Sequence, residues 1–171
     1  RERSDLGQFI AQLHKQKTRI YTQAVIEGRA ELRPGVRELI SAAGEAGVRL
    51  AIATTTSLPN VDALLQAAYN GSRNGIFEAI FAGDSVAAKK PAPDIYLDAL
   101  RQLDLPPDAC LAIEDSRNGL MSAFKAGIST IVTPGIYTEG QDFSEAELVV
   151  PDLNSVAIAE LLSGRLTHES R

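Results

Sequence analysis

With 171 residues, 44% of them hydrophobic and 23% charged, the chain has the composition of one ordinary globular domain with at most a small appendage. Its formal net charge of -5 argues against a nucleic-acid-binding surface, and no apolar run reaches the roughly 20 residues that a membrane span needs. Cys110 is the only cysteine, and His14 and His168 are the only histidines, so the sequence excludes an internal disulfide and a cysteine-based zinc site. Carboxylates, hydroxyls and lysines are left to carry any chemistry.

The first part of the chain has the apolar spacing of helices. A helix over residues 4–28 is predicted by apolar side chains at i, i+3, i+4 and i+7, namely Leu6, Phe9, Ile10 and Leu13. Gly28 is suited to end it, because glycine readily adopts the left-handed conformation of a helix end. A second helix is expected to open at Pro34 and to end before Gly47.

After residue 47 the predicted elements alternate between short apolar strands and helices. In chain order we expect strands over 49–53, 78–82, 110–113, 129–132 and 147–150. The helices between and after them are expected over 59–68, 93–103, 117–126 and 155–162. Strands separated by helices of about 10 residues indicate βαβ units and a parallel sheet, so the predicted fold class is α/β.

Polar residues follow several of these strands at the point where each strand ends. In open parallel sheets ligands bind beyond the carboxyl ends of the strands. The residues expected at this edge are Thr54-Thr55, Lys89-Lys90 in the loop beyond the second strand, Glu114-Asp115-Ser116, and Thr133-Pro134-Gly135. Hydroxyls, lysines and acids are therefore predicted to converge there.

Each of these groups has a functional and a purely structural interpretation. Thr54 and Thr55 are suited to hold a phosphate oxygen at a strand-to-helix turn, whereas Thr56 or Ser57 is suited merely to cap the following helix. Two prolines, Pro91 and Pro93, follow Lys90 and restrict the backbone around it, so that it could neutralise a phosphate, although a solvated basic pair before a helix would look the same.

The acid pair in the stretch AIEDSRNG is the most informative of these groups. Asp115 or Ser116 could cap the helix that begins near Arg117, but a cap explains one acid and not two. Mg²⁺ binds through one or two carboxylates together with substrate phosphate, and it would offset the repulsion between Glu114 and Asp115.

The order of these groups along the chain resembles that of the haloacid dehalogenase superfamily of phosphohydrolases. Thr54 matches the second motif of that superfamily, Lys90 the third, and Glu114-Asp115 the fourth. The pieces ATTTSLPNV, KKPAPDIY, EDSRNGL and PGIYT resemble in particular its CbbY branch, which includes xylulose-1,5-bisphosphate phosphatases. The resemblance runs from about residue 14 to residue 153, and LHKQKT resembles the last helix of the helical cap of that branch.

The resemblance implies a fold, a mechanism and a cofactor. Residues 1–30 would be the last helix of the cap, and residues 31–171 a Rossmann-like core with a parallel sheet. Lys90 and Thr54, with the Thr55 backbone, would hold the transferring phosphoryl group. Mg²⁺ would be bound by Asp115, with Glu114 as a second ligand or as the group that orients a metal-bound water. Asn118 would support the loop.

The first motif of the superfamily, Asp-x-Asp-Gly-Thr, has no counterpart in the 171 residues. It carries the nucleophilic aspartate on a central strand, between the strands that end here at Ala53 and Ile113. We therefore expect a chain truncated on its N-terminal side, and we expect it to be inactive and poorly stable alone, because two inner sheet edges would be unpaired.

The expected substrate is a small phosphorylated sugar, most readily xylulose 1,5-bisphosphate. Substrate choice in this superfamily comes largely from the cap, so Lys17 is a candidate for a second phosphate, ahead of Lys15, Arg19 and His14; a solvated helix face is the other interpretation. We expect no nucleic-acid or membrane partner, a monomer at full length, and a reducing compartment, either cytoplasm or plastid stroma.

Other functions remain as alternatives. Relatives of β-phosphoglucomutase and phosphoglycolate phosphatase share the same motifs. A response-regulator receiver has acids, Thr and Lys at the same edge, but its order along the chain is acids, then Thr, then Lys. A non-catalytic binding or scaffold module would have no chemical need for the full set of Thr54, Lys90, Glu114 and Asp115.

Overall fold

The computed structural model describes residues 2–28, 31–69, 75–83 and 85–162. Its helices are α1 (Glu2–Ile26), α2 (Val36–Glu45), α3 (Leu58–Ala68), α4 (Asp94–Leu103), α5 (Arg117–Lys125) and α6 (Ile158–Leu162). Its strands are β1 (Ala51–Ala53), β2 (Ala79–Phe81), β3 (Leu111–Glu114), β4 (Ser129–Val132) and β5 (Leu148–Val149). Short 3-10 turns cover Pro107–Ala109 and Leu153–Ser155. His168 and the side chain of His14 lie outside the described part of the chain.

The chain divides into two compact units. The first contains residues 1–32 and 57–74, and the second contains residues 33–56 and 75–171. In the first unit α1 packs along α3, where Val25 is fully buried and the Thr22 hydroxyl donates to the Asn60 side-chain oxygen at 3.1 Å. α3 therefore groups with α1 rather than with the strands that flank it in sequence. None of the helices within the described ranges combines the length and apolar character that crossing a bilayer requires.

The second unit is the α/β core that the sequence predicts. β1 pairs with β2 in parallel, with Ala51 opposite Ala79, and β3, β4 and β5 form a separate parallel sheet in that order. β1 and β3 are not paired with each other, in agreement with the expectation that they are not neighbours in the sheet. Because parallel strands share one carboxyl edge, Glu114 at the end of β3 lies level with Val132 at the end of β4.

Two apolar clusters hold this unit together. The first joins α4 and α5 to the sheets through the buried residues Phe81, Ile95, Tyr96, Ala99, Ala112, Ala123, Ala126 and Ile128. The second packs α2 and α6 near β4 through Leu39, Ile131, Leu153 and Leu161. Burying a large aliphatic side chain contributes about 1.5–3 kcal/mol, so these clusters supply much of the stability of the unit.

Most element boundaries differ from the predictions by one or two residues, and three of the differences have a clear local reason. The third strand includes Glu114, because its carbonyl accepts a ladder hydrogen bond from the Thr133 N–H at 2.8 Å. The second helix starts at Val36 instead of Pro34, because Gly35 is left-handed with φ of 81°. The last predicted helix is interrupted: the turn Leu153–Ser155 is capped by Asp152, and α6 begins only at Ile158.

Candidate active site

The loop after β1 carries the two predicted threonines. The Thr54 N–H extends the β1–β2 ladder by donating to the Phe81 carbonyl at 2.9 Å, and the Thr54 hydroxyl accepts from the Thr56 N–H at 3.2 Å. Thr54 is half-buried and Thr55 is exposed. Gly83 lies so close that a Cβ atom there would overlap the Thr55 carbonyl, so glycine is required for the loops after β1 and β2 to meet.

Lys90 joins the ends of the two sheets. Its Nζ donates to the Ala53 carbonyl at 2.9 Å and to Glu114 Oε1 at 2.5 Å, and its side chain is only 10% exposed. α5 supports the backbone of the lysine loop, since the buried Ser122 hydroxyl donates to the Ala92 carbonyl at 2.7 Å. The predicted lysine is therefore a positioned group. Its neighbour Lys89 is exposed.

Glu114 points into the protein. Successive residues at the end of a strand face opposite sides, and Glu114 is buried with 8% of its side chain exposed. Its Oε1 accepts hydrogen bonds from both Lys90 Nζ and the Tyr96 hydroxyl, which lies on α4. Burial, and after it the negative charge of Glu114, raise the pKa of Tyr96 well above its ordinary value, so Tyr96 stays protonated and donates.

Asp115 has the opposite environment. The residue is exposed, and its carboxylate makes no hydrogen bond or ion pair with the part of the chain that the structure describes. Its backbone is nevertheless fixed, because its carbonyl accepts from the Thr138 hydroxyl at 2.5 Å. Among the described residues there is no group of three or more potential metal ligands. Of the two adjacent acids, Asp115 alone presents an open carboxylate, the kind of donor that Mg²⁺ prefers.

The start of α5 settles which residue caps that helix. Ser116 is the N-cap, and its side chain accepts from the Gly119 N–H at 3.3 Å. Asp115 is therefore released from the capping role that the sequence left open. Asn118 lies exposed in the first turn of α5, near the acid pair in sequence.

The structure brings Thr54, Lys90, Glu114 and Asp115 to one edge of the second unit. Lys17 belongs to the first unit, where it is exposed on α1, as are Lys15 and Arg19. Three residues that shape the edge were not predicted from the sequence. They are Tyr96, Arg33 and Thr138.

Of these residues, Tyr96 could have been predicted from the sequence and Arg33 could not. Tyr96 ends the stretch KKPAPDIY and had a signal, since a tyrosine on the buried face of a helix needs a partner for its hydroxyl. Arg33 had none: its guanidinium donates to the carbonyls of Pro134 at 2.8 Å and Pro151 at 3.1 Å, and to the Thr133 hydroxyl at 3.1 Å, about 100 residues away along the chain.

The chain is similar to the same group of known proteins in sequence and in structure. Residues 2–127 match the family model described as haloacid dehalogenase-like hydrolase. The protein CbbY of Rhodobacter capsulatus is 55% identical over 148 residues, which is 86% of this chain and 65% of that protein. The crystal structure of CbbY from Rhodobacter sphaeroides in complex with phosphate superimposes with a TM-score of 0.82 at 48% identity, covering 86% of this chain and 66% of that chain.

A variant of the Rhodobacter sphaeroides protein has also been solved in complex with xylulose 1,5-bisphosphate, with the same TM-score of 0.82 and 48% identity. The chain thus spans slightly less than two thirds of the length of the Rhodobacter proteins that it matches.

Proposed function

Because the chain belongs to the family of haloacid dehalogenase-like hydrolases, we propose that it supplies the core of a Mg²⁺-dependent phosphatase that acts on a small phosphorylated sugar. Xylulose 1,5-bisphosphate is the first candidate, because it is the ligand of the solved Rhodobacter sphaeroides relative. The observation that carries the proposal is the placement of Lys90. Its buried ammonium group is fixed at the carboxyl edge of the sheets, with the open carboxylate of Asp115 next to its partner Glu114.

We assign the phosphoryl group to the threonine loop and the lysine. An ammonium group has three donors, and the contacts of Lys90 with Ala53 and Glu114 use two of them. The third, together with the Thr54 hydroxyl and the Thr55 backbone N–H, is proposed to hold the oxygens of the transferring phosphoryl group. Fixed donors stabilise the charge that develops there, because they need no reorganisation as it forms.

The metal is proposed to be held by Asp115. When bound, Mg²⁺ would neutralise developing charge on the phosphoryl oxygens. The open carboxylate of Asp115 fits this role, and the hydrogen bond from Thr138 to the backbone carbonyl of Asp115 fixes the backbone of that residue. For Glu114 the two donors on Oε1 favour a different task from metal ligation, namely holding Lys90.

The remaining assignments follow the family resemblance. The nucleophile is proposed to be an aspartate that these 171 residues do not contain, since the chain has no Asp-x-Asp motif. α1 is proposed to be the last helix of a helical cap, with Lys17 as a candidate contact for a second phosphate, and Asn118 to support the loop at the acid pair. We further propose a monomer in a reducing compartment, cytoplasm or plastid stroma.

A chimera tests the proposal. In the Rhodobacter sphaeroides protein, the region that this chain matches is replaced by the chain itself, and phosphate release is measured with and without Mg²⁺. The substrates are xylulose 1,5-bisphosphate, glucose 1-phosphate and phosphoglycolate. We expect release from the bisphosphate that requires Mg²⁺ and that chelation with EDTA abolishes. The parent protein is the positive control, and the 171-residue chain alone is expected to be inactive.

Each alternative has its own outcome in this assay. Conversion of β-glucose 1-phosphate to glucose 6-phosphate, which releases no net phosphate and is followed with a glucose-6-phosphate dehydrogenase assay, would favour the β-phosphoglucomutase-like function. Preferential phosphate release from phosphoglycolate would favour the phosphoglycolate phosphatase-like function. A folded chimera that releases no phosphate from any of the three and does not isomerise glucose 1-phosphate would contradict the proposal and favour a non-catalytic module.

A further inference from the structure

Tyr96 contacts both members of the buried ion pair at the candidate site. It lies in the first turn of α4, where its N–H donates to the Pro93 carbonyl at 2.9 Å, and it is 8% exposed. Its hydroxyl donates to Glu114 Oε1. Its ring lies beneath the ammonium group, with Lys90 Nζ 4.9 Å from the ring centroid, within the range of a cation–π contact.

The carboxylate of Glu114 is enclosed on three sides. Oε1 receives Lys90 and Tyr96, while Oε2 lies against the backbone of Gly119, where a Cβ atom would overlap it. Among the described residues, Lys90 would be the only hydrogen-bond donor to this carboxylate without Tyr96. The second donor fixes its direction, because a buried hydroxyl loses free energy unless it keeps its acceptor.

We propose that Tyr96 is a positioning residue. Its hydroxyl orients the Glu114 carboxylate toward Lys90 and so fixes the ammonium group at the edge of the sheet. The kinetic consequence rests on the proposed phosphatase function; the geometric role does not. Tyr96 thereby gives the two adjacent acids different tasks. Glu114 serves the lysine, and Asp115 stays available to a cation.

The ammonium group itself can report on this role in the full 171-residue chain. A lysine ammonium gives an NMR signal when hydrogen bonds slow its proton exchange with water. In ¹⁵N-lysine-labelled protein, Lys90 is expected to give such a signal and the exposed Lys89 is not. Tyr96→Phe keeps the ring and removes the hydroxyl, so we expect ammonium exchange at Lys90 to accelerate about tenfold or more, or the signal to vanish.

Tyr96→Leu, which removes ring and hydroxyl together, separates the two contacts. If Tyr96→Phe leaves the Lys90 signal unchanged, the hydroxyl does not position the pair and the proposal is overturned. A signal lost only in Tyr96→Leu would assign the effect to the ring, which also overturns it. Amide spectra of the variants serve as the control for a retained fold.

A measurement on the unsubstituted chain covers the case in which the variants do not fold. The Tyr96 hydroxyl proton should exchange far more slowly than that of Tyr137, which is 97% exposed, and should show a nuclear Overhauser contact to the Glu114 side chain. Exchange as fast as that of Tyr137 would refute the hydrogen bond.

The chimera supplies the kinetic test. Tyr96→Phe is expected to lower kcat about tenfold with little change in KM, because a displaced ammonium group weakens transition-state binding more than substrate binding. A rise in KM at constant kcat would oppose the assignment. If the chimera is inactive on every phosphate ester, the proposed function fails, while the ammonium signal still decides the role of Tyr96.

Discussion

The carboxylate of Glu114 occupies the space that a Cβ atom on Gly119 would need. Gly119 is buried within α5 and its φ is not in the left-handed region, so the requirement is close approach and not backbone freedom. Gly119→Ala is therefore expected to lower the free energy of unfolding by about 1–3 kcal/mol, because the added methyl group must displace Glu114 or shift α5. Urea denaturation measures this loss.

Gly44→Ala is the matched control for that substitution. Gly44 lies in α2, and no heavy atom comes within 4 Å of an added Cβ there. Alanine should leave stability unchanged or raise it by up to about 1 kcal/mol, because alanine favours the helix over the unfolded chain. Equal losses at both positions would show that the contact with Glu114 has no special weight.

Lys90→Ala should remove most of the phosphatase activity of the chimera, about 10²–10³-fold, if its ammonium group stabilises the transferring phosphoryl group. Stability should also fall, since Glu114 would remain buried without its cation. Lys89→Ala changes the exposed neighbour and should alter neither property. Phosphate release and thermal unfolding are measured together; near-normal turnover in Lys90→Ala would contradict the assignment.

Asp115→Asn separates metal binding from stability. The exposed carboxylate makes no hydrogen bond or ion pair with described residues, so its loss should change the melting temperature little. The chimera should nevertheless lose most of its activity and require a higher Mg²⁺ concentration for half-maximal rate, because an amide is a weaker ligand than a carboxylate. A wild-type Mg²⁺ titration curve in this variant would refute the proposed site.

Arg33 binds the loop after β4 directly, although it lies about 100 residues before that loop in the sequence. Its planar guanidinium reaches the carbonyls of Pro134 and Pro151, as well as the hydroxyl and carbonyl of Thr133. A lysine cannot reproduce this fork, so Arg33→Lys is expected to lower the free energy of unfolding by about 2 kcal/mol. Arg101→Lys, at an ion pair in which the arginine side chain is 78% exposed, should cost less than about 0.5 kcal/mol. Chemical denaturation of both variants measures how much the hydrogen bonds of Arg33 contribute to the free energy of unfolding.

Glu145 makes part of the stability depend on pH. A hydrogen bond from Arg117, helped by other hydrogen bonds and charge, lowers the pKa of Glu145 from 4.5 to about 2. Because the folded-state pKa is the lower one, the stabilisation is present above about pH 4.5 and is lost as the pH falls toward 2.

The stability of the wild-type chain should therefore decline more steeply across this window than that of Glu145→Gln. Glu139→Gln serves as the control, since Glu139 is exposed and its side chain makes no hydrogen bond or ion pair with described residues. Equilibrium unfolding at several pH values measures the slopes; parallel slopes for wild type and Glu145→Gln would contradict the prediction.

The sequence predicts which residues reach the site better than it predicts what they contact there. Thr54, Lys90 and the acid pair follow from the βα order alone, since each stands at the carboxyl end of a strand or in the loop beyond it. The fourth strand is confirmed at Ser129–Val132. Its bounds could be predicted because a glycine before this short run and a proline after it limit where a strand can begin and end.

The direction of Glu114 could not be predicted. It depends on one further ladder bond from Thr133, which makes Glu114 the last residue of β3 and turns its side chain inward toward Tyr96. Contacts of this kind join residues far apart along the chain, and apolar periodicity carries no information about them.

Lys90 has a second consequence for the core. β1 and β3 have no ladder between them within the described ranges, yet the carbonyl at the end of β1 and the carboxylate at the end of β3 bind the same ammonium group. The residue proposed to handle phosphate is thus also a cross-brace of the scaffold. Acylation of this single amine is therefore expected to weaken the contact between the two sheets together with the proposed binding of phosphate.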